Sequence, residues 1–369
     1  MMNKPFNLII TGGKTGGHLF PGIAAAEAVR TANPDSNILF IGTDAPFETK
    51  TLEKYGFAHE SIYSKPVKGG NVFKKLFSMS IILISLMESL ILIKKFKPDF
   101  VLGVGGFSSF AVVLAAWMLN IPCAIQEQNA FPGLTNRKLA GFAGTIFTSF
   151  KETKGWVNHP KVKYVGNPVR KASYEPSDLS MENENFQKNK TTLLVTGGSQ
   201  GAGSVNIAFM DALALMDNTD KFNIIHQTGI QDEPLIQQKY SDLKIKALVK
   251  AFFHNMPEIQ KTADLAVTRA GAGIISELCF HGLPAILIPF PHAADDHQTF
   301  NARALEAEGA AIMIKDKDLN GSTLKAAMDS LLFDKARLER MSKKLKNLAK
   351  PDAAKKIAAH ILNSKDIKG

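Results

Sequence analysis

The sequence predicts an α/β protein made of two doubly wound parallel-sheet domains that face each other across a central cleft. Three observations carry this prediction. Short apolar runs alternate with helix-like stretches through both halves of the chain. Two glycine-rich segments, half a chain apart, each follow an apolar run and open a helix-like stretch. They are Thr11-Gly12-Gly13-Lys14-Thr15-Gly16-Gly17-His18, after Leu8-Ile9-Ile10, and Thr196-Gly197-Gly198-Ser199-Gln200-Gly201-Ala202-Gly203, after Leu193-Leu194-Val195. Between them, residues 175–190 are polar and charged, the composition of a connection near a domain boundary.

In the first half, strands are expected at 7–10, 38–41, 100–104, 123–127 and 145–148, and helices at 22–31, 49–54, 74–95, 109–119 and 134–140. Pro98 and Pro122 end the helices before two of these strands. After the polar stretch the pattern restarts, with strands at 192–196, 223–227, 245–249, 263–268, 285–288 and 311–314. Helices lie between them at 203–216, 232–240, 273–281 and 296–308. Residues 320–363 read as helical with a break at Pro351. The domains are therefore set at 1–168 and 169–349, with the last helix, 350–369, free to pack back on the first domain.

A chain of 369 residues with 45% hydrophobic residues can fill two such cores. Cys123 and Cys279 lie in apolar surroundings and read as buried thiols. No secretory signal is visible at the start. The 44 Lys and Arg outnumber the 34 Asp and Glu, leaving a formal charge of +10, which suits an anionic partner or simple solubility. No nucleic-acid motif accompanies the charge. The apolar stretch 76–93, flanked by Lys74, Lys75, Lys94 and Lys95, approaches the length of a membrane span. Its serines and Glu88, and its place between two strands, favour a crossover helix buried on one face.

A strand that turns through glycines into a helix converges backbone N–H groups and a positive helix end on one point, a site for phosphate. The first turn is not a P-loop, because Leu8 stands where Gly-x-x-x-x-Gly-Lys requires glycine, and its spacing is wrong for a dinucleotide fingerprint. His18 at the mouth of this turn could donate to phosphate, act as a base, or simply pack. Gly103, Gly105 and Gly106 make a third strand-to-helix turn. Gln126-Glu127-Gln128-Asn129 ends a strand where α/β sheets bind ligands, and a polar surface loop is the plain alternative. Arg269-Ala270-Gly271-Ala272-Gly273 leads into a helix carrying Ser276 and Glu277, where a carboxylate could hold a ribose diol or just favour the helix start. The segment 289–298 contains His292, Asp295, Asp296 and His297 in no zinc spacing. It reads better as a sugar-reading loop with Gln298 and Asn301 on one helix face.

Taken in order, several signatures resemble the MurG family. They are Thr-Gly-Gly-His-x-x-Pro at 15–21, Glu-Gln-Asn-x-x-x-Gly-Leu-Thr-Asn at 127–136, Gly-Asn-Pro-Val-Arg at 166–170, Gly-Gly-Ser-Gln-Gly-Ala at 197–202, Arg-x-Gly-Ala at 269–272 and Gly-Leu-Pro-Ala at 282–285. The resemblance covers nearly the whole chain and implies a GT-B fold of two Rossmann-like domains. It implies transfer of GlcNAc from UDP-GlcNAc, with inversion, to the C4 hydroxyl of the MurNAc-pentapeptide of lipid I, giving lipid II for peptidoglycan. UDP-GlcNAc is then a substrate, and no metal or other cofactor is expected.

Carried over by position, donor contacts would be Thr15, Gly16, Gly17, Asn129, Arg170, Ser199, Phe253, Ala272, Gly273, Ile274, Ile275, Ser276, Glu277 and Gln298. Glu277 would hold the ribose, the Phe253 backbone uracil, and Gln298 the GlcNAc hydroxyls. Arg170, Ser199 and helix N-termini would stabilise the charge on departing UDP. Gly13, Lys14, Gly105, Gly106 and Asn136 would face the acceptor pyrophosphate, with His18 and Glu127 as catalytic candidates. Lys68, Phe73, Lys74, Lys75, Leu76 and Phe77 would dock on the anionic cytoplasmic face of the inner membrane, as a peripheral protein. Further partners implied are lipid I and cell-wall and division protein complexes, with no nucleic acid. Lys14 departs from the family, which usually has glycine there. Two other classes remain open on the residues alone: a UDP-GlcNAc 2-epimerase and a non-catalytic nucleotide-binding docking subunit.

Overall fold

In a parallel sheet covered on both faces, every strand residue is buried, so strands are written as unbroken apolar runs. The central strand β1 (Asn7–Thr11) shows this directly: Leu8 and Ile10 enter one hydrophobic core and Ile9 the opposite one. The computed structural model describes residues 5–13, 15–65, 72–169, 187 and 189–364, without the side chains of 72–78. The chain divides into two compact units, Met1–Lys171 with Lys350–Gly369, and Ala172–Ala349.

In the first unit β1 is followed by α1 (Gly16–Ala32), β2 (Asn37–Gly42), α2 (Pro46–Lys54), β3 (Ala58–Ser61) and α3 (Val72–Phe96). Then come β4 (Phe100–Gly103), α4 (Phe107–Met118), β5 (Cys123–Glu127), α5 (Leu134–Leu139), β6 (Thr145–Thr148) and β7 (Val162–Tyr164). The seven strands are parallel in the order β3-β2-β1-β4-β5-β6-β7. Neither β3 nor β7 is among the expected strands. Both are short edge strands; Ala58-His59-Glu60-Ser61 carries no apolar run because its outer side faces solvent.

Helix α1 starts at Gly16, six residues before the expected start at 22, and takes in Pro21. Proline removes only the bond that its N–H would give to Gly17, whose exposed backbone water can serve instead. Along α3, Ile81, Ser85, Ser89 and Ile93 recur every four residues and are buried, while Met79, Leu83, Met87 and Ile91 are exposed. The serine hydroxyls return to the helix, Ser85 to Ile81 O (2.9 Å) and Ser89 to Ser85 O (2.6 Å). Among the described residues, no helix is long and apolar enough to cross a membrane.

The second unit runs β8 (Thr191–Thr196), α6 (Gly203–Ala214), β9 (Phe222–Gln227), α7 (Glu233–Asp242), β10 (Leu248–Lys250), α8 (Met256–Thr262) and β11 (Leu265–Thr268). It continues through α9 (Ala272–His281), β12 (Ala285–Leu287), α10 (His297–Ala307), β13 (Ala311–Met313), α11 (Gly321–Leu332) and α12 (Lys335–Leu348). Its parallel sheet has the order β10-β9-β8-β11-β12-β13. The segment expected as one long helix with a single break is three helices, since the chain also leaves helical geometry between Leu332 and Lys335. The third, α13 (Ala353–Leu362), belongs to the first unit: Ile357, Ala358 and Ile361 sit in one core with Leu8, Ile10 and Ile23. Cys123 and Cys279 are buried free thiols, and burial pushes them up to about 11 and about 12.

Candidate active site

Both sheets reverse their strand order once near the centre, between β1 and β4 in the first and between β8 and β11 in the second. Ligands of open α/β sheets bind at the carboxyl ends of the strands flanking such a reversal. All four strands there lead through glycine into a helix: α1, α4, α6 and α9. None of these helices has a side-chain cap or an acidic residue in its first turn. By contrast, Asn320 caps α11 and Asp334 caps α12. Uncapped N–H groups and the helix dipole make each of the four a place for negative charge.

In the first unit, the first and third glycine turns touch. A Cβ on Gly12 would fall 2.0 Å from the Gly105 carbonyl oxygen, and one on Gly105 (φ +95°) would fall 3.1 Å from the His18 ring. The turn after β1, the turn after β4 and the His18 imidazole therefore form one surface. Thr15 and Gly17 are exposed on it, and Gly16 is half-buried. Gly106 caps α4. Gly13 is buried against Glu48, a carboxylate that the sequence alone did not bring forward. Glu48 accepts from Thr43 N (3.1 Å) and Thr43 Oγ1 (2.9 Å) and lies 4.0 Å from His59 Nε2. Burial outweighs the two carboxylates near His59 and holds its pKa below the usual value.

Glu127 is buried at the end of β5, and its oxygens accept four hydrogen bonds. Asn129 N (3.0 Å) and Asn129 Nδ2 (3.2 Å) reach Oε1; Gly133 N (3.0 Å) and Asn136 Nδ2 (2.9 Å) reach Oε2. Desolvation raises its pKa and these bonds oppose the rise. A carboxylate so enclosed organises the 129–136 loop. Asn136 is buried with it and also donates to Gln126 O (3.0 Å). Asn129 is half-buried and Gly133 exposed, so the set reaches solvent through these two.

In the second unit, Ser199 and Gln200 are exposed at the crest of the second glycine turn. The turn rides on the end of β9, where a Cβ on Gly201 would fall 2.1 Å from Thr228 O. Phe253 is buried, and its N–H donates to Gln227 Oε1 (2.9 Å), so of its peptide groups the N–H is already engaged. Ala272 and Ile275 face the core, whereas Gly273, Ile274, Ser276 and Glu277 are half-buried. Ser276 Oγ turns back to Ala272 O (2.8 Å), and Glu277 Oε2 accepts from Gln260 Nε2 (3.0 Å).

Gln298 and Asn301 grip one peptide segment. Gln298 Oε1 accepts from Ala270 N (3.1 Å) and Phe290 N (2.9 Å), and Asn301 Nδ2 donates to Ala270 O (3.1 Å). Asn301 is fully buried, so of the two expected sugar readers it fixes the 270 turn instead. Arg269 ties the same region together. It donates to Ile288 O (3.3 Å), Pro289 O (3.2 Å), Ser204 Oγ (2.9 Å) and Asp316 Oδ1 (2.5 Å). Asp295 and Asp296 both have φ of +53°, a left-handed pair at the start of α10. Among the described residues, no group of His, Cys, Asp and Glu is assembled for a metal ion. Lys14, Lys68 and Arg170 lie outside the described residues, as do the side chains of Phe73, Lys74, Lys75, Leu76 and Phe77.

Residues 8–148 match the glycosyltransferase family 28 N-terminal domain, and residues 192–357 match the glycosyltransferase family 28 C-terminal domain. The fold and the paired glycine turns thus define a glycosyltransferase of the GT-B class. A UDP-N-acetylglucosamine--N-acetylmuramyl-(pentapeptide) pyrophosphoryl-undecaprenol N-acetylglucosamine transferase of Anaeromyxobacter sp. (strain Fw109-5) is 40% identical over 95% of this chain and 91% of its own. A crystal structure of Acinetobacter baumannii MurG matches with a TM-score of 0.79 and 27% identity, over 97% of this chain and all (100%) of that one. The chain belongs to the MurG family. A UDP-GlcNAc 2-epimerase from Neisseria meningitidis shares the fold, with a TM-score of 0.70 at 15% identity over 97% of this chain and 99% of that one.

Proposed function

We propose that this enzyme transfers GlcNAc from UDP-GlcNAc to the C4 hydroxyl of the MurNAc-pentapeptide of lipid I, with inversion, to make lipid II for peptidoglycan synthesis. The observation that carries the reading is the uncapped glycine turns at the strand-order reversals of both sheets. Two diphosphates take part in this reaction, one in the donor and one in the acceptor, and each unit offers a pair of turns suited to one.

In the second unit, UDP sits at the turn after β8 and at the start of α9. Ser199 and the backbone of 272–276 meet the diphosphate, Glu277 the ribose, the Phe253 peptide uracil, and Gln298 the sugar. Thr15, Gly16, Gly17, Asn129 and Arg170 complete the donor contacts. In the first unit, the acceptor pyrophosphate meets Gly13, Lys14, Gly105 and Gly106. The acceptor O4 attacks C1 of GlcNAc from the face opposite UDP. The new C1–O4 bond forms as the bond from C1 to the β-phosphate oxygen breaks, and UDP leaves with the electron pair. His18, which lies beside Gly105, is the candidate to receive the O4 proton or hold the phosphate. Glu127 acts through the loop it anchors, and Asn136 with it. Helix N-termini stabilise the charge on UDP.

The protein works peripherally at the cytoplasmic face of the inner membrane, with Lys68, Phe73, Lys74, Lys75, Leu76 and Phe77 as its contact and cell-wall and division protein complexes as neighbours. The test is incubation with labelled UDP-GlcNAc and a short-chain lipid I analogue, with and without a chelator. Label in the lipid fraction supports the reading. Epimerised UDP-sugar with no labelled lipid moves the activity to a 2-epimerase, and dependence on metal revises the donor chemistry.

A further inference from the structure

Gln227, the last residue of β9, is buried and bonds in two directions at once. Its Nε2 donates to Gly198 O (3.0 Å) and to Thr196 Oγ1 (3.2 Å) in the second glycine turn, while its Oε1 accepts from Phe253 N–H (2.9 Å). A carbonyl at one end and an N–H at the other fix which way the amide points. The Gly198 carbonyl also accepts from Gly201 N (3.1 Å), and Gly198 N–H goes to Thr196 Oγ1 (3.1 Å). With these groups turned inward, the exposed crest at Ser199 and Gln200 is set as a phosphate-facing edge.

We propose that Gln227 is a positioning residue that couples base reading at Phe253 to diphosphate binding at the second glycine turn, so that UDP is recognised as one unit. The proposal rests on the donor reading above. Uracil presents an N3–H donor between two carbonyl acceptors, and with the Phe253 N–H engaged by Gln227 it is the Phe253 carbonyl that can accept from N3–H. Gln227 fixes where the Phe253 peptide stands relative to the phosphate edge, although the two are far apart in sequence.

The experiment is calorimetric titration of the full-length protein with uridine and with UDP, together with KM for a lipid I analogue. It compares wild type, Gln227→Glu and the volume-matched Gln227→Met. Glutamate still accepts from Phe253 N–H but has no donor for Gly198 O. Uridine affinity is expected to stay within about twofold and UDP affinity to fall about tenfold or more, because a carboxylate oxygen then faces the Gly198 carbonyl where an N–H donated, and the two acceptors repel and shift the turn. Methionine serves neither partner, so both affinities fall, UDP by the larger factor. Acceptor KM stays at the wild-type value, which general loosening of the fold would not allow. Equal losses for uridine and UDP, or unchanged UDP affinity, overturn the proposal. Should Gln227→Glu fail to fold, Gln227→Met decides by the same comparison. Wild-type protein that binds no UDP overturns the donor reading, and this proposal with it.

Discussion

The His18 imidazole lies against the α-carbon of Gly105, so close that a methyl group there would come within 3.1 Å of Cδ2 and Nε2. The position also has φ of +95°, which strains any residue with a side chain by roughly 1–2 kcal/mol. Gly105→Ala should lower the unfolding free energy of the first unit by about that amount and slow transfer at least about tenfold, while UDP affinity stays unchanged. Thermal unfolding, turnover and nucleotide titration on one preparation check all three.

His18→Ala should lower kcat by roughly a hundredfold, the usual scale for loss of a positioned acid or base. UDP affinity should move little. If transfer and UDP binding fall by the same factor, His18 is a binding residue.

Glu277 is half-buried beside Gln260, with one oxygen receiving its amide. Glu277→Ala should weaken UDP binding by about 1–3 kcal/mol through loss of a charged acceptor for the ribose hydroxyls. A 2′,3′-dideoxy analogue should bind wild type and variant alike. A loss of the same size for that analogue would remove Glu277 from the ribose.

His226 is buried in the second unit between Tyr240 OH (3.0 Å) and Asn206 Oδ1 (3.0 Å), and burial pushes its pKa down to about 3 from 6.5. Above pH 6.5 it is neutral both folded and unfolded, so its contribution is fully present there. Below that value the unfolded chain takes up a proton that the fold refuses. Stability should fall by roughly 1.4 kcal/mol per pH unit until the folded group titrates near pH 3. Denaturant unfolding between pH 7 and pH 4 should show this slope for the second unit, and His226→Gln should flatten it.

Ile357 of α13 is fully buried in the first unit's core. Ile357→Ala should destabilise that unit by about 2–5 kcal/mol. Differential scanning calorimetry should show a lowered transition for one unit only, with UDP binding retained.

The central strands could be read from the sequence because burial on both faces leaves them apolar throughout, as in Leu8-Ile9-Ile10 and Leu193-Leu194-Val195. The edge strands β3 and β7 could not, since half of each faces water. The start of α1 was hidden by Pro21, which marks a boundary in most helices but lies within this one. The glycine turns were legible because apolar run, glycines and helix follow one another locally. Gln227 and Asp316 were not: their bonds go to segments brought close only by the folded sheets, and no periodicity marks them. Gln298 and Asn301 were visible as a polar pair on one helix face, but that they grip the peptide at Ala270 depends on a crossover thirty residues earlier.

The return of α13 to the first unit sets an order on biosynthesis. A chain emerging from the ribosome presents the seven-stranded sheet before the second unit, yet Ile357, Ala358 and Ile361, which close one face of it, come out after that unit. The second unit, contiguous from Ala172 to Ala349, has all of its residues before then. The domain begun earlier is completed after the second, and until α13 emerges its apolar face is open to chaperones or to other nascent chains. A released chain truncated after Ala349 should therefore protect the second unit from protease and leave the first one cleavable.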